Sequence, residues 1–362
     1  MTPIRMPPPT LTNGPAESLS KASPSLRNQF CATTLANISL CREHFRLVLS
    51  LPTFPPTEPG QFLQISCRSS EPGYYADSEW SADRWAAAAR ESVGPELGGP
   101  LAVLRRPFSL AGRRDTAAGV ELDIIHRVVG VGTAWLSALK PGDAIDILGP
   151  LGNRFTLPPD GGTALLVGGG VGIPPMLYLA DALGRLPGVR AIAFAGALTR
   201  DLLPLMIQPD RPAPSSDEGD PAMNIAEFAR HNVPAVISTD DGSFGYRGFV
   251  TQALEKYLDV SGFKANESKP AGAEPAPCSS HVIYTCGPEP MMKRVAAIAA
   301  QRGLECQVAV ERAMACGMGT CQSCCIRVRK PDPARPPLPG RDWCYRLACT
   351  DGPVFYGSEL LW

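Results

Sequence analysis

The chain has 362 residues, a formal net charge of -1 and 44% hydrophobic residues. That is enough apolar material for two or three cored domains, and without a basic run it makes nucleic acid an unsuited partner. No stretch approaches the roughly 18 apolar residues of a membrane span, so no membrane partner is expected.

Residues 1–29 include MTPIRMPPPTLTNGPAESLSKASPS, which lacks the apolar core of an export signal and reads as a disordered tail. Twelve cysteines in such a chain point to thiolates in a reducing cytoplasm rather than to disulfides. From 30 to 158 the text is short β-branched and apolar runs between turns: HFRLVLSL, GQFLQISC, VELDIIHRVV and DAIDILGPLG. This pattern predicts a small antiparallel β-barrel. Residues 68–100 lose the alternation and read as an insert at a barrel loop.

Inside the barrel stands Arg105-Arg106-Pro107-Phe108-Ser109. A guanidinium for a diphosphate, a proline that fixes the turn, a ring to lie on a flat ring and a hydroxyl together suit a flavin nucleotide. Alone, the same letters would also serve as a strand entry with a surface arginine. Ile125-His126-Arg127, followed by Gly132-Thr133, adds a second arginine and a glycine-threonine turn in the same sheet neighbourhood. His126 reads as an ordinary strand residue with its ring beside the cofactor, not as a catalytic base.

Residues 159–305 alternate strands with helices, which predicts a doubly wound parallel sheet whose ligands gather at the carboxyl ends of its strands. The run ALLV leads into Gly168-Gly169-Gly170-Val171-Gly172 and then a helix. Strand, glycine turn and helix make a phosphate cradle. The strict G-x-G-x-x-G is absent, however, because Ile173 stands where a third glycine belongs, and a purely structural turn is the rival reading. Arg200, after the next strand, could meet an adenosine ribose or 2′-phosphate, or open a helix in solvent. Asp241-Gly242 after AVIST, and Cys286-Gly287-Pro288 after HVIYT, should share one crevice with the glycine turn. Cys286 either touches a nicotinamide or is a small residue at a strand end. The segments 208–221 and 264–280 read as loop excursions.

Residues 306–362 form the third expected domain. Cys316, Cys321 and Cys324 have the C-x4-C-x2-C spacing of a plant-type [2Fe–2S] site, whose fourth thiolate comes from a later segment. A structural zinc site would want paired C-x2-C knuckles, and only one is present. Cys325 reads as packing. Cys349 is the expected fourth ligand and Cys344 the alternative, both beyond a proline-rich insert at 331–342.

The order RPFS, GGGVGIPPM, CGPEPMM, ERAMACGMGTCQSC and CTDGPVF resembles the electron-transfer subunit of type B dihydroorotate dehydrogenase, within the wider ferredoxin-reductase superfamily. The resemblance covers nearly everything from about residue 33. It implies FAD held by Arg106, Pro107, Phe108, Ser109, Ile125, His126, Arg127, Gly132 and Thr133, with His126 in place of the tyrosine usual in the family. It also implies a [2Fe–2S] cluster, NAD as substrate, and an FMN-containing dihydroorotate dehydrogenase catalytic subunit as partner, in a heterotetramer of two of each. No catalytic acid or base is expected in this chain. The same architecture could serve a hydrogenase, a sulfide-linked reductase or a transhydrogenase, or persist in a non-catalytic nucleotide-binding regulator.

Overall fold

A computed structural model describes residues 28–68, 104–208, 220–262, 281–329 and 342–362. The expected tail and the four inserts lie outside the described residues, apart from a few edge positions.

The first sheet comprises β1 (Gln29–Cys41), β2 (His44–Leu51), β3 (Phe62–Ile65), β4 (Arg106–Ser109), β5 (Gly112–Thr116), β6 (Gly119–Arg127) and β7 (Ala144–Leu151). Its strands are antiparallel in the order β4-β3-β7-β1-β2-β6-β5. Alternation does the sorting: Leu47 and Leu49 of β2 lie opposite Ile124 and Leu122 of β6, and all four are buried. Strands β4 and β5 are two halves of one segment, the first paired with β3 and the second with β6. Between them Leu110 N donates to Gln61 O (3.3 Å) and Ala111 N to Asp123 O (2.8 Å). One crossing segment thus links the two edges of the sheet, an arrangement consistent with the expected barrel. Helix α1 (Val131–Ser137) follows β6.

The second sheet contains β8 (Thr163–Gly169), β9 (Arg190–Ala197), β10 (Ala235–Thr239), β11 (Tyr246–Arg247), β12 (His281–Cys286) and β13 (Glu305–Ala309), all parallel. Helices α2 (Ile173–Gly184), α3 (Ala226–Ala229), α4 (Val250–Val260) and α5 (Glu289–Gln301) intervene. Strand β8 is buried along its whole length, as a strand covered on both faces must be. Leu165 and Val167 join the α4 and α5 side, and Ala164 and Leu166 the α2 side. No helix among the described residues is long and apolar enough to cross a membrane.

The last part of the chain contributes a hairpin, β14 (Cys325–Val328) with β15 (Cys344–Leu347), and then β16 (Val354–Tyr356). Strand β16 adds antiparallel to β13, so it completes the nucleotide sheet. Strand β13 itself runs across the expected border at 305–306. The three parts are stitched by side-chain amides. Asn153, at the barrel exit, donates through Nδ2 to Val354 O (2.8 Å) and Asp351 O (3.2 Å), and its Oδ1 accepts from Val354 N (2.9 Å). Gln307 of β13 accepts from Thr156 N (2.8 Å) and donates to Thr156 O (3.0 Å).

Replacing Asn153 with leucine leaves a backbone N–H and two carbonyls of the 351–354 turn without these partners. The expected cost is roughly 1–3 kcal/mol. A thermal melt of the Asn153→Leu chain should show a midpoint lowered by several degrees, and an unchanged midpoint would refute the role given to this amide.

Candidate functional site

Barrel, nucleotide sheet and the 309–314 segment that leads into the cysteine loop face one cleft of about 1500 Å³, larger than the roughly 300–1,000 Å³ of an ordinary small-molecule pocket. Its barrel wall is made by Arg106, Pro107, Phe108 and Ser109 on β4, and by Ile125, His126 and Arg127 on β6. Gly132 and Thr133 of α1 extend that wall. The Thr133 hydroxyl accepts from Val129 N (2.9 Å) and Gly130 N (3.1 Å) and so fixes the turn into the helix. Of the two neighbouring arginines, Arg105 is tied to Asp146 at 2.7 Å. Arg106 bonds only the carbonyl of Leu104 (3.2 Å) and has no acidic partner among the described residues. It is the guanidinium that stays available.

Two histidines stand in this wall. His126 is 2% exposed with neither ring nitrogen hydrogen-bonded, and His44 is 1% exposed with Nε2 unpartnered. Burial, reinforced by His44, pulls the His126 pKa down to about 4, so the ring is neutral at ordinary pH. Phe45 stacks beside it (centroids 5.9 Å) and Phe108 meets it edge-on (6.1 Å). Buried polar atoms without partners are rare, and these open onto a cleft. They fit a polar, flat ligand such as a flavin.

The glycine turn divides its labour. A Cβ on Gly172 would lie 2.1 Å from Cys286 O, and one on Gly169 would lie 2.6 Å from Met291 Sδ. These two let β8 pack against the Cys286-Gly287-Pro288 turn. Gly168 also packs internally, 2.9 Å from Ile173 Cα by the same measure, and does not line the cleft. Gly170 is different, with φ +52° and open space where its Cβ would be. That is the position at which a ligand can approach the backbone. Cys286, Gly287 and Pro288 do line the cleft. Burial, aided by the charge of Glu311, pushes the Cys286 thiol up to about 12 and keeps it neutral. Asp241 and Gly242 do not reach the cleft, and Asp240 does. Asp241 instead accepts from Ser243 N (3.0 Å) and Oγ (2.7 Å) and holds its own turn. Arg200 is outside the lining too, its guanidinium carbon 5.7 Å from the Phe244 ring centre.

Sequence reasoning passed over His44, Phe62, Thr251, Glu311 and Pro353 as site residues, all of which line the cleft. The signal was faint: His44 and Phe62 sit in apolar strands that read as core.

At the cysteine loop, Cys316 Sγ accepts from Met318 N and Cys321 N, both at 3.4 Å. Hydrogen bonds from Ser323, with help from Cys316, bring the Cys321 thiol down to about 6. Cys349 lies against Cys324: burial first, then a bond and charge shared with that thiol, push it up. Ala348 N donates to Cys324 O (3.1 Å), tying the later segment to the loop. Among the described residues no three ligand-type side chains close on a single point as ligands of one ion would. The thiols associate as Cys316 with Cys321 and Cys324 with Cys349, a donor set that fits a two-iron cluster. Cys344 is buried at the other end of the hairpin, opposite Val328. Cys325 does not pack as expected. Strand alternation turns it outward while Cys324 and Ile326 go in, and it is exposed.

Residues 311–361 match the iron-sulfur cluster binding domain of dihydroorotate dehydrogenase B. The electron transfer subunit of dihydroorotate dehydrogenase B (NAD(+)) from Geobacillus thermodenitrificans is 35% identical over 268 residues, 74% of this chain and 82% of the relative. That from Caldanaerobacter subterraneus subsp. tengcongensis is 27% identical over 93% of this chain and all of the relative. Among solved structures, an NADH-dependent reduced ferredoxin-NADP oxidoreductase superposes with TM-score 0.60 at 26% identity, covering 91% of this chain and 90% of the other. The ferredoxin reductase of carbazole 1,9a-dioxygenase shares the fold, with TM-score 0.50 at 18% identity over 76% of this chain and 66% of the other. Two flavin-reductase domains, a cysteine loop built into their junction and this level of identity lead to one conclusion: the chain belongs to the dihydroorotate dehydrogenase B electron transfer subunit family.

Proposed function

We propose that the chain is the electron-transfer subunit of an NAD-dependent dihydroorotate dehydrogenase, an oxidoreductase subunit serving pyrimidine biosynthesis in the cytoplasm. In this reading it carries electrons from the FMN of a catalytic partner to NAD+, using a [2Fe–2S] cluster and FAD, in an assembly of two copies of each subunit. The observation that supports it is convergence: the flavin strand, the glycine and Cys286 turns, and the junction with the cysteine loop meet at one cleft.

Within that reading, Arg106 and Arg127 face the diphosphate of FAD, and Gly132 and Thr133 present the α1 turn to it. Phe108 lies beside the ring system, and neutral His126 offers it a donor and an acceptor. Pro107, Ser109 and Ile125 complete that wall. Gly170 receives the NAD phosphates over a turn that Gly168, Gly169 and Gly172 hold in shape. Cys286, with Gly287 and Pro288, gives the nicotinamide a small uncharged wall, and Asp241 and Gly242 present Asp240 from the next turn. Cys316, Cys321, Cys324 and Cys349 hold the cluster, giving up their protons to do so. A flavin exchanges electrons in pairs with a nicotinamide and singly with an iron-sulfur centre, and that chemistry belongs to the cofactors. The side chains bind, orient and exclude water, and none is required as an acid or base.

The decisive assay mixes the purified, cofactor-loaded chain with an FMN-containing dihydroorotate-oxidising subunit and follows NAD reduction. Dihydroorotate-driven formation of NADH is expected. A chain reduced by NADH yet silent with that partner would favour the second reading, a reductase subunit of another complex, which the 26% identity to the ferredoxin-NADP oxidoreductase supports.

Cys349→Ser should lower bound iron from about two per chain toward zero, while Cys344→Ser should retain it; iron analysis and the visible spectrum report both. Arg106→Ala should weaken FAD binding by roughly 1.5–3 kcal/mol, the value of a bond to a charged group, measured by flavin fluorescence. Acid should also destabilise the fold. The His126 ring is held neutral in the fold, with its pKa lowered to about 4 from 6.5. Its contribution to stability is complete above 6.5 and is lost as pH falls through 4. His126→Phe should flatten the loss in a pH series of thermal melts.

A further inference from the structure

Gln64 occupies the middle of β3, is fully buried, and has no hydrogen-bond partner for either its amide nitrogen or its amide oxygen. Its strand neighbours Leu63 and Ile65 belong to the barrel core, so the pleat turns Gln64 to the barrel's outer face. There it is paired with Pro107 of the flavin strand on one side and Leu148 of β7 on the other. Above it lies the cysteine loop. A Cβ on Gly317 would come within 2.7 Å of Gln64 Cγ and 3.3 Å of Gln64 Cδ, and within 3.2 Å of Leu151 Cδ1. Gly317, at φ +72°, directly follows Cys316. The loop is therefore brought down onto the Gln64 side chain at Gly317, where no side chain intervenes.

A buried carboxamide facing leucine and glycine carries a desolvation cost that a leucine or methionine of similar volume would avoid. The acceptor that the proposed cluster would bring beside Gly317 is sulfur at the Cys316 corner, one residue away in the chain. Backbone N–H groups of Met318 and Cys321 already point at Cys316 Sγ, but they come from the loop itself.

We infer that Gln64 is a positioning residue for the cluster: its amide N–H donates to sulfur at the Cys316 corner and so raises the cluster potential. This rests on the reading that Cys316, Cys321, Cys324 and Cys349 hold [2Fe–2S]. Reduction adds negative charge to the sulfurs, which strengthens an N–H···S bond and favours the reduced state; hydrogen bonds to sulfur are among the levers that set such potentials. The barrel, through β3, thereby tunes a centre held by another part of the chain.

The test is an anaerobic redox titration of the cofactor-loaded chain, reading the cluster by EPR and the flavin by visible absorbance, in wild type, Gln64→Leu and Gln64→Met. Both variants remove the donor and keep the volume, so one suffices if the other fails to load. The expected result is a cluster harder to reduce by about tenfold in its reduced-to-oxidised ratio, which is about 59 mV for a one-electron couple, with the flavin potential unmoved. A loaded cluster whose potential is unchanged, or a shift confined to the flavin, overturns the inference and leaves the cluster assignment standing. A wild-type chain without any cluster signal removes both.

Discussion

Three hydrogen bonds between the Asn153 carboxamide and the 351–354 turn, two donated and one accepted, tie the barrel exit to the last part of the chain. The turn follows Cys349 by two residues and precedes β16, which joins the nucleotide sheet. The same few atoms therefore register the barrel, the parallel sheet and the Cys349 segment against one another. Directional bonds suit this task better than apolar burial, which is indifferent to small slides. Electron transfer between bound groups needs that registration, because the protein's contribution is placement rather than bond-making.

Much of the site was legible because its signals are local. The C-x4-C-x2-C spacing, the RPFS strand and the strand-glycine-helix order each need only neighbours in sequence to be read. What stayed hidden depends on long-range register. Gln64 and His44 read as positions in apolar strands, and their orphaned polar atoms emerge only when β3 and β2 are laid against β4 and β6. Asp240, not Asp241, reaches the cleft because Asp241 spends its oxygens on Ser243, a choice between adjacent carboxylates that composition cannot make. Cys325 follows from strand alternation, which becomes visible only once β14 is known to begin there.

The glycine turn departs from the fingerprint for reasons of packing. Only Gly170 opens toward a ligand, while Gly168, Gly169 and Gly172 serve close approach to α2, α5 and the Cys286 turn. Such a turn needs glycines where backbones collide, and the spacing of those collisions is set by this sheet rather than by a consensus. The structural reading thus holds for Gly168, Gly169 and Gly172, and Gly170 is the position left open to a ligand.

Strand β16 has a consequence for how the molecule is made. Until residues 354–356 emerge from the ribosome, β13 offers a bare ladder of N–H and C=O groups, an invitation to pair with another chain. Cys349, the proposed fourth ligand, stands only five residues before β16. One short stretch, residues 349–356, therefore supplies both the proposed fourth ligand and the strand that seals β13, and a chain interrupted before it would leave that edge adhesive.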